Sequence, residues 1–77
     1  MNVTTEDFKS IRPGHTEVFV CENANKMQSA GVMIARAKRS ELPKGVVDYE
    51  YRTEIREGVC IMLIRALREG DQKVLNR

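Results

Sequence analysis

Tryptophan is absent from this chain, histidine occurs once, at His15, and the aromatic complement is two tyrosines and two phenylalanines. One imidazole excludes a histidine metal cluster or a His–His acid–base pair. With only Cys21 and Cys60 beside it, these groups cannot close a four-ligand zinc site. The two cysteines have no short spacing, so they do not form the disulfide framework of a small secreted domain. Glycines 14, 31, 45, 58 and 70 are dispersed, which excludes a phosphate-cradling glycine loop. Ser10, Ser29 and Ser40 stand in no Gly-x-Ser-x-Gly elbow and have no local base. No catalytic residue, metal ligand or cofactor site is therefore expected, no small-molecule substrate is indicated, and the chain is read as not an enzyme.

Long apolar runs are missing too. The longest, Val59 to Ile64, has six residues, against roughly 20 for a membrane-spanning helix, so no membrane partner is expected. The first residues, Met1-Asn2-Val3-Thr4-Thr5-Glu6-Asp7, carry neither a basic start nor an apolar stretch. The expected compartment is the cytoplasm. Net charge is only +2, too small to imply a polyanionic partner unless the basic residues cluster.

What is present is a small domain's worth of patterned sequence. At 77 residues and 42% apolar composition, the chain suits one compact unit. A domain this size buries only about 60% of its unfolded surface, and small domains often compensate by oligomerising. Three segments are expected: an N-terminal arm over 1–14, a βαββ domain over 15–68 and a polar C-terminal tail over 69–77 that frays, with Val74 and Leu75 as weak anchors. Within the arm, Thr5-Glu6-Asp7-Phe8 has the composition of a helical turn capped by Thr4 or Thr5, broken by Arg12-Pro13-Gly14.

Thr16-Glu17-Val18-Phe19-Val20-Cys21 reads as the first strand. Asn23 and Asn25 are two candidate N-caps, and Asn25, with Gln28 three residues on, approximates a capping box for a helix running to about Ser40. Met27, Ala30, Ile34 and Ala37 form its apolar stripe, flanked by Gly31 and Met33. Tyr49, Tyr51, Thr53 and Ile55 alternate with Glu50, Arg52, Glu54 and Arg56, the period of a half-buried strand. Glu57-Gly58 makes a two-residue hairpin turn into Val59-Cys60-Ile61-Met62-Leu63-Ile64, apolar on both faces.

That turn fixes a register. Arg56 faces Val59, Ile55 pairs with Cys60, Thr53 with Met62, Tyr51 with Ile64 and Tyr49 with Ala66. On the other face Glu50 pairs with Arg65, Arg52 with Leu63 and Glu54 with Ile61. The last strand, being the most apolar, belongs at the centre. The expected fold is thus α+β: a two-layer βαββ domain with a three-stranded mixed sheet, order 1-3-2, and one helix on one face. The element order is similar to that of the dodecins, small flavin-binding oligomers. The likeness is of topology, and without a tryptophan to stack on an isoalloxazine no flavin is expected.

This arrangement leaves Val18, Val20, Val59, Ile61 and Leu63 on the face without a helix. Such a patch, several hundred Å², is of the size that marks an interaction. Self-association is the favoured reading, as a homodimer. Two alternatives are a fold-back of Val3, Phe8 and Ile11 over that face, and edge-to-edge pairing of the first strand. A second functional reading is nucleic-acid contact through Arg36 and Arg39 on the outer helix face, where Ser29 and Ser40 also lie, with Lys38 near its edge and Lys44 in the loop that follows. A basic last turn also follows from the helix dipole alone, and that surface has no aromatic residue to stack bases. Glu50 and Glu54 share a strand face with Arg52, Arg56 and Arg65. Neutralised carboxylates of this kind make poor general acids.

Overall fold

A computed structural model describes residues 3–40 and 42–75. Its elements run α1 (Thr5–Lys9), β1 (Thr16–Cys21), α2 (Ala24–Lys38), β2 (Asp48–Arg56) and β3 (Val59–Leu67). The strands form one sheet in the order β1-β3-β2, with the most apolar strand at its centre. β1 and β2 run in the same direction, but they are not neighbours. Both strand pairs are antiparallel, so the sheet is antiparallel rather than mixed. The expected label failed because sheet type is set by adjacent strands, and β3 separates the two parallel ones.

The hairpin register agrees with the sequence reading pair for pair, from Arg56↔Val59 through Tyr49↔Ala66. Its determinant is local. Glu57 and Gly58 both have positive φ, 50° and 79°, the backbone of a two-residue turn whose twist matches that of the strands.

α2 covers one sheet face with Ala30, Ile34 and Ala37, all buried, and with Met27 and Met33 partly so. Of the two candidate N-caps Asn23 is the one used: its side chain accepts the Lys26 N–H at 2.9 Å. The carbonyl that caps a helix must precede the first turn, and β1 ends early enough for Asn23 to take that place. The helix ends at Lys38, slightly before the expected Ser40.

α1 is a real, if short, helix. Thr4 and Asp7 form a reciprocal capping box, with Thr4 N–H donating to Asp7 Oδ2 at 2.8 Å. Its role is to deliver Phe8 to the core, where the Phe8 and Tyr49 rings meet edge to face at 5.4 Å. Val3, Phe8 and Ile11 join Ile34, Ala37, Tyr49, Met62 and Ile64 in one buried cluster. Val3, Phe8 and Ile11 therefore pack on the helix side of the sheet, and the described N-terminal residues do not cover the opposite face.

Candidate self-association surface

The face opposite α2 presents three rows, because alternate residues of each strand share a face. Val18 and Val20 come from β1, Val59, Ile61, Leu63 and Arg65 from β3, and Glu50, Arg52, Glu54 and Arg56 from β2. The β1–β3 register sets Val18 against Leu63 and Val20 against Ile61. Four aliphatic side chains thus form two adjacent cross-strand pairs, with Val59 next in line. Val18 is 62% exposed, Val20 55% and Val59 43%, while Ile61 and Leu63 are half-buried between the outer rows. The bare area is on the order of a few hundred Å², the size at which an apolar patch carries meaning.

The β2 row is a charged ladder closed on itself. Glu54 meets Arg52 Nη2 at 3.1 Å on one side and Arg56 Nε at 2.9 Å on the other. One corner of the face is covered by the chain's own tail. Glu50, only 2% exposed, bonds Arg65 and accepts the N–H groups of Val74 and Leu75. Arg65 in turn donates to the Gln72 carbonyl at 3.0 Å. Sequence reasoning expected this tail to fray; its anchor is a carboxylate whose partners lie 24 and 25 residues away, a separation no local pattern reveals.

Of the basic residues singled out from the sequence, Arg36, Lys38 and Arg39 fall in the last turn and C-cap of α2, and Lys44 in the loop beyond it. Lys38 turns towards β2 and lies 3.5 Å from Asp48, which also meets Lys73 at 3.5 Å. Burial raises the Asp48 pKa, but the Tyr49 N–H and the two ammonium groups outweigh it and hold the carboxyl below its ordinary value. Arg36 lines a shallow recess with Thr5, Lys9 and Ser40. Lys44 lines a neighbouring one with Lys9, Leu42 and Pro43. Arg39 is the exposed C-cap of α2. Lys9 links the two recesses, a neighbour the sequence pattern did not bring to notice.

Cys21 and Cys60 are directly paired across β1 and β3, both free and both buried. Burial, with Cys60 beside it, pushes the Cys21 thiol pKa up, which keeps that thiol protonated and a poor nucleophile at neutral pH. His15 is exposed just before β1. Among the described residues no group of three His, Cys, Asp or Glu side chains is placed to hold a metal ion. No helix among them is long and apolar enough to cross a membrane. Comparison with protein-family models, with curated proteins and with solved structures found no match for this chain.

Proposed function

We propose that the chain is a non-catalytic association module that joins a second copy of itself through the sheet face opposite α2. The observation that carries the reading is the exposure of Val18 and Val20, 62% and 55%, beside Ile61 and Leu63, on a face that the described N-terminal residues leave bare. Removing apolar surface from water yields about 25 cal/mol per Å², so covering a few hundred Å² gains several kcal/mol.

The charges around the patch favour a like surface as its occupant. Glu54 is already shared between Arg52 and Arg56, so the β2 ladder does not call for a strongly acidic or basic partner. The same band turned through a two-fold axis lays apolar rows on apolar rows, the isologous contact typical of homodimers. A stable interface takes about 800 Å² from each partner, so the footprint extends from the valines to Thr16, Arg52 and Glu54.

Sedimentation velocity at high micromolar concentration tests this. The unaltered chain is expected above monomer mass. Val20→Lys, at a position where the fold tolerates exposure, is expected to halve that mass while leaving the far-ultraviolet circular dichroism unchanged, and Ile61→Glu to act in the same direction. Equal masses for the unaltered and Val20→Lys chains overturn the reading.

A further inference from the structure

We propose that the outer edge of β2 is a second self-association site, at which β2 pairs antiparallel with β2 of another copy across a two-fold axis at Thr53. The order β1-β3-β2 makes β2 an edge strand, and its nine residues contain no proline or glycine. Long unprotected edges are templates for strand pairing. The two-residue turn makes Arg56 and Val59 a hydrogen-bonded pair, so the even-numbered residues of β2 bond to β3 and the odd-numbered ones face outward. Tyr49 fits this: its N–H is taken by the Asp48 carboxylate at 2.8 Å instead of by the sheet. Beyond it, the N–H and C=O groups of Tyr51, Thr53 and Ile55 point away from β3.

The strand is complementary to itself in the register these groups allow. With Thr53 opposite Thr53 of the second copy, Tyr51 faces Ile55, and Arg52 faces Glu54, on both sides of the axis. Aromatic–aliphatic, Thr–Thr and opposite-charge pairs are the cross-strand combinations that stabilise sheets. Charges on edge strands ordinarily deter pairing; here their alternation in sign turns the deterrent into a match. β1, the other edge, has no such match, since pairing about Val18 would set Glu17 against Phe19 and leave the charge without a partner.

The surface above the edge fits the same occupant. A groove of about 440 Å³ runs beside β2, lined by Met27, Gly31, Val32 and Ala35 of α2 and by Tyr51 and Thr53. Ile55 is 62% exposed and Val32 48%. In the proposed register Ile55 of each copy comes to lie beside Tyr51 of the other, at the mouth of that groove. The bonds and ion pair of the described tail residues fall on Asp48 and Glu50, ahead of the paired stretch.

This contact does not rest on the sheet-face association. Its axis is normal to the sheet and keeps both copies of α2 on one side. With both contacts formed, two six-stranded sheets lie face to face with the helices outside, a tetramer.

The test uses the Val20→Lys chain, in which the face contact is removed. Sedimentation equilibrium is expected to show it dimeric at high micromolar concentration. Adding Arg52→Glu sets like charges opposite each other twice and is expected to raise the dimer Kd about tenfold or more. Adding Glu54→Arg to that variant restores the opposite-charge pairs and is expected to return the Kd to within about threefold of its starting value. A monomeric Val20→Lys chain overturns the edge contact while leaving the face reading intact. Equal dimerisation by the single and double charge variants also overturns it.

Discussion

Arg65 Nη1 lies 3.3 Å from Glu50 Oε2 across the β2–β3 pair, and the same carboxylate receives the Leu75 N–H at 2.7 Å and the Val74 N–H at 2.9 Å. One side chain thereby joins two strands and the tail. A buried carboxylate is stable only when its lone pairs are filled, and here the filling is done by a segment whose own side chains supply little of it. Glu50→Ala leaves a mostly covered guanidinium and two N–H groups without their acceptor. A loss of about 3 kcal/mol is expected, the low end for breaking a buried pair because Arg65 keeps some contact with water. The checks are urea denaturation and limited trypsin digestion. Cleavage after Lys73 should accelerate more than global unfolding does. A digestion rate unchanged from the parent chain would show that the tail is held by something else.

How far the sequence foretold these contacts depends on how local their causes are. The Arg56↔Val59 register and everything that follows from it came from two turn residues, because side-chain alternation propagates a single fixed pair along both strands. The central place of β3 came from its two apolar faces. The burial of Ala30, Ile34 and Ala37 came from helical spacing. Val3, Phe8 and Ile11 were legible as anchors but not as to which face they join. Their choice is set by the space beside Ile34 and by the Tyr49 ring, neither of which is near them in sequence. Asn23 and Asn25 are both good caps, and the end of β1 decides between them. The Glu50 anchor was invisible for a further reason: the acceptor sits in a charged alternation that reads as solvated, and its donors are main-chain groups, which carry no sequence signal.

Tyr49 Oη is buried with no hydrogen-bond partner among the described residues, and burial pushes its pKa up. Its ring is wholly covered and packs against Phe8. The ring contributes core volume, while the unpaired hydroxyl forfeits the bond it would make with water. Tyr49→Phe keeps the ring and removes the orphaned group. It is expected to be at least neutral and to stabilise by about 1 kcal/mol, read as a higher midpoint in urea at unchanged slope. A destabilisation of more than about 1 kcal/mol would mean that the hydroxyl is bonded, most simply through an internal water.

Gly31 sits inside α2, where alanine would ordinarily favour the helix by about 1 kcal/mol. Here a Cβ at Gly31 would come 2.9 Å from Tyr51 Oη and 3.3 Å from Cζ, closer than atoms tolerate. The two effects oppose each other, and the clash involves the tip of a half-buried ring that has an open groove beside it. Gly31→Ala is therefore expected to destabilise modestly, by about 1 kcal/mol net, as the ring is pushed from the helix. The cause separates in a double-mutant cycle. In a Tyr51→Phe background the nearest atom is gone, so the same Gly31→Ala change should cost about 1 kcal/mol less and come out near neutral, the remaining contact with Cζ offsetting the helix benefit. Additive effects in that cycle would place the need for glycine elsewhere, in the close packing of α2 on the sheet.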